Sequence, residues 1–407
     1  MSMRTLPLLV CTAAFAWAQG GSNYSVFGIG DLRPSIGAFY DGAASLAVAL
    51  PSPQGISTVN PALWTFVRST RLQGGYRFHQ QSISGEAGTR AQNNGKVEGL
   101  LLLFAIDTAA GWSGSFGFYP LSSVNAAVRV PLGVQRLEDT LSGSYSVLSS
   151  GGISVLHGGV AVKPLSRLGV GVAVRYYFGL FRADHITRVE DPWAAPDTFS
   201  IADWLSGVGA ILGAWYQPLP NWLLGVAVSL PARMTTQQVW RYSFAHTYTD
   251  TSLTKEFRWR LPAFAAAGLS YQRGRTVVAV ELGYAALSSL TYRSAPRVEF
   301  QPLFRLSASL VRIPPASKVG RTFWEQLGLS AGVSWQRLYY RVDGRSISET
   351  AAACGIGFPL GRSALVEVAC QAGVRGKQAP GLVREWFGRF TFSLSLSDQW
   401  FIAGRRR

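Results

Sequence analysis

The chain has 407 residues, 48% of them hydrophobic, and a mean hydropathy of +0.15, yet no stretch approaches the roughly 18 uninterrupted apolar residues of a membrane-crossing helix. Apolar composition without such helices leaves a large soluble β-protein or a transmembrane barrel, because in lipid only helices and closed barrels satisfy every backbone polar group. The formal charge of +16 comes from basic residues scattered along the chain, with only Arg405, Arg406 and Arg407 clustered, so it does not point to nucleic acid as a partner.

At the amino terminus, Arg4 precedes an apolar run and then Ala16-Trp17-Ala18, the small-x-small pattern of a signal-peptidase site. Residues 1–18 therefore read as a signal peptide and the mature chain as starting at Gln19. Lipidation of Cys11 is the rival reading, disfavoured by the bulk of Val10 before it. After cleavage only Cys354 and Cys370 remain, too few for a disulfide scaffold, so the fold must come from backbone pairing and burial.

From residue 68 to residue 401 the chain repeats alternating residues, a tight turn and more alternation, the signature of antiparallel barrel strands. Over 168–180 the even positions are Leu168, Val170, Val172, Val174, Tyr176, Phe178 and Leu180, opposite Gly169, Gly171, Ala173, Arg175 and Gly179. Over 276–284, Val278, Val280, Leu282 and Tyr284 oppose Glu281, and the last segment alternates Phe390, Phe392, Leu394 and Leu396 with Thr391, Ser393, Ser395 and Ser397. Because Arg or Lys on a barrel's lipid face at mid-bilayer costs about 2–4 kcal/mol, the charges set the phase: Arg175, Glu281, Glu367 and Arg389 should point inward. The 44 glycines and the wealth of Trp, Tyr and Phe suit crowded walls and interfacial girdles.

Short turns at 163–167, 217–221, 272–275 and 358–362 fit the periplasmic side. Longer polar connections at 82–95, 182–206 and 234–256, with a short one at 343–348, fit the extracellular side. In 182–206, Trp193, Phe199, Ile201 and Trp204 are apolar in a wet segment, either a ligand-capturing surface or a loop packed on itself, and 200–203 has the spacing of a helix start. The up-down segments number about fourteen, giving an all-β transmembrane barrel; residues 19–67 are left over ahead of it.

Tyr24-Ser25-Val26-Phe27-Gly28-Ile29-Gly30-Asp31-Leu32 is followed by Asn60-Pro61-Ala62 just before the first strand. Near the other end come Gly355-Ile356-Gly357-Phe358-Pro359-Leu360, Arg384-Glu385-Trp386-Phe387, and Ser393-Leu394-Ser395-Leu396-Ser397-Asp398-Gln399-Trp400-Phe401 with a basic tail, 402–407. In their order and spacing these segments resemble FadL-type outer-membrane proteins, FadL and TodX among them, of the branch found in Bacteroidetes. Val26 departs from the basic residue expected at its position.

The resemblance implies a fourteen-stranded barrel with residues 19–67 folded in the lumen as a hatch. It implies passive uptake of hydrophobic molecules such as long-chain fatty acids, with lateral release at a kinked third strand. That strand is expected within 112–130, broken near Pro120, with Asn60, Pro61 and Ala62 in the hatch near the kink. The carboxyl-terminal strand resembles the one read by the barrel-insertion machinery. Some relatives serve instead in protein secretion, so secretion or envelope-assembly components are the alternative partners.

Strand phase makes Arg175, Tyr177, Phe181, Trp215, Glu281 and Glu367 candidates for a ligand path through the lumen, an arginine meeting a carboxylate head group. The competing reading is that lumen charges pair with one another or with the hatch. Basic residues at the rims pair with lipopolysaccharide phosphates or are simply solvated. Cys354 and Cys370 fall on the outward phase about one turn, as a disulfide or as small hydrophobes. His79, His157, His185 and His246 lack metal-ligand spacing, and no nucleophile-base order or phosphate loop is present, so neither metal, cofactor nor enzymatic activity is expected.

Overall fold

The computed structural model describes residues 21–398 apart from 54, 86–87, 109, 137–138, 191–195, 245–246, 316–321 and 362. The expected signal peptide, the basic tail, the end of the carboxyl-terminal strand and Trp193 lie outside the described residues.

A closed antiparallel barrel of 14 strands forms the wall. In chain order these are β1 (Thr70–Gly85), β2 (Gly88–Asp107), β3 (Trp112–Pro120 and Ser122–Arg136), β4 (Asp139–Leu165), β5 (Leu168–Val189), β6 (Asp197–Tyr216) and β7 (Trp222–Ser229 and Ala232–Phe244). They continue with β8 (Thr247–Leu261 and Phe264–Arg273), β9 (Thr276–Ala285), β10 (Val298–Phe300 and Leu303–Arg312), β11 (Gly328–Val342), β12 (Arg345–Leu360), β13 (Ala364–Ala379) and β14 (Leu382–Asp398). Closure comes from β14 pairing with β1, Asp398 opposite Thr70 through Arg384 opposite Ser84. No helix among the described residues is long and apolar enough to cross a membrane.

Alternation sorts the side chains as lipid demands. In β9 exposed and buried residues alternate strictly, with Val278, Val280, Leu282 and Tyr284 outside and Val277, Ala279 and Glu281 inside. Arg175, Glu281 and Glu367 are buried in the lumen, each by the same rule. Such a wall, apolar outside and polar within, is that of an integral outer-membrane protein. Four strands are interrupted, and a proline stands at each interruption: Pro120 in β3, Pro231 in β7, Pro262 in β8 and Pro302 in β10. Proline has no N–H for the ladder, so pairing lapses there at least cost.

Three expected loops are corrected. Residues 82–95, 182–206 and 234–256 are largely strand: hairpins β1–β2, β5–β6 and β7–β8 continue their ladders far beyond the membrane, and 200–203 is β6 rather than a helix start. Their polarity reflects strands leaving hydrocarbon for water, where alternation is no longer enforced. The 343–348 connection shrinks to a two-residue turn, Asp343-Gly344, with φ of 48° and 72°, the left-handed pair that tight hairpins take from Asp-Gly.

Residues 21–67 fill the barrel. A 3-10 helix Asn23–Val26, a two-residue strand Asp31–Leu32, helix α1 (Ala38–Gly42) and a 3-10 helix Pro61–Phe66 line up inside the wall, and residues 35–50 are all buried. The first barrel strand begins at Thr70.

Candidate functional site

The third strand is where wall and interior meet. Its lower half pairs with both neighbours, β2 from Leu100 opposite Phe118 downward and β4 from Ser113 opposite Ala161 to Pro120 opposite Ser154. Immediately after Pro120 the strand bends at Leu121, whose N–H donates to Ile153 O at 2.8 Å. Its upper half keeps only β4, from Val124 opposite Gly151. The edge it withdraws from β2 is met by the amino-terminal segment: Asp31 pairs with Ser123 and Leu32 with Ser122, and Arg33 N–H donates to Leu121 O at 2.8 Å. Across the unpaired seam, β2 reaches β3 and β4 by side chains. Lys96 Nζ donates to Ser123 Oγ at 2.7 Å and to Gly151 O at 3.2 Å, and Gln92 Nε2 donates to Ala127 O at 3.2 Å.

Behind this seam lies a cavity of about 110 Å³ whose walls are mostly apolar: Ile29, Leu32 and Val59 from the inner segment, Tyr119 and Leu121 from β3, Tyr177 from β5, Ile211 from β6 and Leu261 and Phe264 from β8. A second chamber of about 100 Å³ is polar, lined by Arg77, Lys96, Arg375 and Arg389 with Asp31 and Glu349. Leu32, Arg33, Pro34, Leu303, Arg305 and Gln336 border both. An amphiphile with an apolar body and an anionic end matches that division.

Ion pairs hold the inner segment around these chambers. Arg375 donates to Asp31 Oδ1 at 2.8 Å, to Ser22 Oγ at 2.8 Å and through Nε to Glu349 Oε2 at 2.7 Å. Arg389 joins Glu349 at 2.9 Å, and Arg33 pairs with Glu98 at 2.7 Å. Glu281 Oε2 accepts both Ala47 N–H and Val48 N–H at 2.8 Å, while its Oε1 meets Arg305 Nη2 at 2.6 Å. Each of these carboxylates has a partner, as buried charge requires.

Asn60, Pro61 and Ala62 form a clasp. Asn60 caps the Pro61–Phe66 turn by accepting Ala62 N–H at 3.0 Å, and its Nδ2 donates to Val48 O at 2.7 Å and to Ala214 O of β6 at 3.2 Å. Gly213 makes the approach possible, since a Cβ there would lie 2.1 Å from Asn60 Oδ1. The clasp seats on β5 and β6, and the Pro61–Phe66 turn also lies against β4 and the lower half of β3, while the kink itself is paired by Asp31, Leu32 and Arg33.

The lumen candidates separate into four places. Arg175 and Tyr177 border the apolar cavity, with Arg175 bonded to Thr58 O and, at 3.4 Å, to Ser229 Oγ. Trp215 and Glu281 are anchors of the inner segment, Trp215 Nε1 donating to Ala62 O at 3.0 Å and Thr65 Oγ1 at 2.8 Å, and Glu367 lines a separate void of about 20 Å³ beside α1. Phe181 lies in an aromatic group above, 5.9 Å from the Tyr292 ring and under Arg293 at 5.0 Å. The six do not make one path, because inward phase alone does not distinguish cavity from contact with a plug.

Phe199 and Trp204 also part company. Phe199 turns inward and stacks on Tyr242 at 4.4 Å, whereas Trp204 is 55% exposed on the outer wall, so Phe199, Ile201 and Trp204 present no common surface. Cys354 and Cys370 stand directly opposite one another in the β12–β13 ladder, on the outer face, as free thiols.

Sequence reasoning passed over Arg375, Glu349 and Lys96, although strand phase puts each inside by the logic applied to Glu367. It also missed residues 286–297, the β9–β10 connection, whose Leu287, Leu290 and Tyr292 are buried. Tyr292 stacks on Trp259 at 4.6 Å and donates to Asp203 Oδ2 at 2.6 Å. Among the described residues no His, Cys, Asp or Glu cluster with metal-binding geometry occurs.

No protein of curated function matches the chain. Solved structures do. A FadL homologue of Pseudomonas aeruginosa is similar at a TM-score of 0.65 and 12% identity over 92% of this chain and 100% of that one. The CymD monoaromatic hydrocarbon channel follows at 0.61 and 14% over 90% and 98%, and the toluene transporter TbuX of Ralstonia pickettii at 0.58 and 12% over 89% and 98%. At such identities the likeness is one of fold. The BamG family model matches residues 2–406, nearly the whole sequence, and the chain is a member of the BamG family with a FadL-type barrel.

Proposed function

We propose that this barrel admits hydrophobic small molecules, long-chain fatty acids or compounds of that character, passively across the outer membrane. Residues 21–67 act as a hatch, and release is lateral at the kinked β3. The observation that carries this is the apolar cavity of about 110 Å³ placed against Tyr119 and Leu121 at the break. A void of this order holds one aromatic ring, since an engineered apolar cavity of about 150 Å³ takes up benzene. A longer chain needs the hatch to shift. CymD, a monoaromatic hydrocarbon channel, and TbuX, a toluene transporter, share the fold, which supplies a chemistry to try.

The test locks the hatch to the wall. Leu32→Cys with Ser122→Cys, in a Cys354→Ser, Cys370→Ser background, places two thiols at directly paired positions where a disulfide can form. Uptake of a fluorescent fatty acid and of toluene should fall when the pair is oxidised and return on reduction. Equal uptake in both states removes the gating role.

A second reading is supported by the ion pairs around Arg375, which hold the hatch firmly: a sealed barrel that serves as a partner in protein secretion or envelope assembly. Stable co-purification with such components, alongside a lumen that takes up no probe, supports it over the first. Enzymatic activity forms no part of either reading.

A further inference from the structure

On the outer wall, β7 and β8 break their apolar face abruptly. Upward from the periplasmic side, β7 shows Trp222, Leu224, Val226, Val228 and Leu230 to lipid, and then Arg233. Arg233 stands directly opposite Arg260 of β8, and Thr235 is opposite Arg258. All three arginines are exposed, between inward-facing Ala232, Met234, Trp259 and Leu261, so their guanidinium groups lie outside the barrel. Among the described residues none of the three makes an ion pair or a hydrogen bond through its side chain; the carboxylate on the same face, Glu256, is opposite Gln237.

The height matters. Eleven residues separate Trp222 from Arg233, which at about 3.3 Å per residue and a tilt near 40° is roughly 28 Å, the top of an apolar band about 25 Å tall. Like charges directly across a ladder repel, and a guanidinium pair at the edge of hydrocarbon has little water to screen it. An anion between them relieves both costs, and planar guanidinium groups match phosphate oxygens in pairs. Beside the arginines a shallow groove lined by Trp204, Ser206, Thr235, Gln237 and Glu256 offers an aromatic face and hydroxyl or amide donors.

We propose that Arg233, Arg258 and Arg260 form a binding site on the outer wall for the phosphate of an outer-leaflet glycolipid of the lipid A type. Its sugar lies along the Trp204–Thr235 groove and its acyl chains against Leu230 and Val208. The site is independent of any cargo in the lumen.

Native mass spectrometry of the full mature barrel with added hexa-acylated lipid A tests this. The wild type should retain one lipid A, and Arg233→Gln, Arg258→Gln, Arg260→Gln together should lower retention by about tenfold or more. Enzymatically dephosphorylated lipid A should bind the wild type no better than phosphorylated lipid A binds the triple variant. Heat-modifiable mobility confirms that the variant is folded, and Arg182→Gln, on the outer face of β5, should leave retention unchanged. Equal retention by wild type and triple variant overturns the site, as does equal binding of the dephosphorylated lipid or of phosphatidylglycerol. Loss of an associated protein from the triple variant with lipid A retention intact assigns the patch to a protein partner and overturns it too.

Discussion

Arg375 illustrates what a single buried charge does in this lumen. Its guanidinium touches Asp31 of the inner segment and Glu349 of the wall while itself only 3% exposed. Removing one member of such a group strands the others: Arg375→Met should destabilise the barrel by about 3–5 kcal/mol, the range for breaking a buried ion pair. The temperature at which the folded band disappears on an unboiled gel should fall, and residues near Asp31 should become open to protease. The exposed pair Arg297–Asp343, at 2.6 Å on the extracellular rim, behaves differently. The hydrogen bond from Arg297 is the main cause that holds the Asp343 carboxyl below its ordinary value of 3.8. A depressed carboxylate contributes its stability above the ordinary value and loses it as pH falls through the lowered one, so the contact should persist at neutral pH and dissolve only in acid below about 3.8. Carboxyl carbon chemical shifts should titrate with a midpoint under 3.8 in the wild type and near it in Arg297→Gln; identical midpoints discard the contact.

At the level of elements, the clasp of Asn60 on β6 depends on a missing side chain. Gly213→Ala puts a methyl 2.1 Å from Asn60 Oδ1, so the Pro61–Phe66 turn must move off the wall. Asn60→Ala removes the cap, about 1 kcal/mol on its own, and leaves Val48 O and Ala214 O without the amide. Both variants should assemble as barrels yet expose residues 21–67 to periplasmic protease; full protection in both would show that the clasp holds nothing. The strands were legible in the sequence because lipid imposes a rule on every second residue: Val278, Val280 and Leu282 had to face out and Glu281 in. A break near Pro120 was expected because the resemblance implied a kinked third strand, and proline's missing N–H marked where in it the ladder could lapse. The contacts of the inner segment were not legible, since Asn60 to Ala214, Trp215 to Ala62 and Asp31 to Ser123 join residues far apart in the chain, and alternation carries no information about what an inward residue meets. Beyond the membrane the rule lapses, so 182–206 read as loop while its described parts, 182–189 and 197–206, continue as strand.

For the whole molecule, the decisive property is that the wall closes on itself while its outer surface stays apolar over the membrane's thickness. Along β5 that surface is Val170, Val172, Val174 and Tyr176, with Arg182 beyond it. Val174, 57% exposed and near the middle of the band, tests the arrangement. Val174→Arg should cost about 2–4 kcal/mol of folding stability in a bilayer of ordinary thickness, because a guanidinium there has hydrocarbon on all sides. In short-chain lipid the bilayer thins and the same side chain reaches the head groups, so the cost should shrink toward 0–1 kcal/mol. Arg182→Ala, already outside the apolar band, should be insensitive to lipid length. A Val174→Arg penalty that is the same in thick and thin bilayers would mean that this face of β5 packs on protein and not on lipid, and the orientation of every other strand, tied to β5 by ladder register, would have to be reconsidered with it.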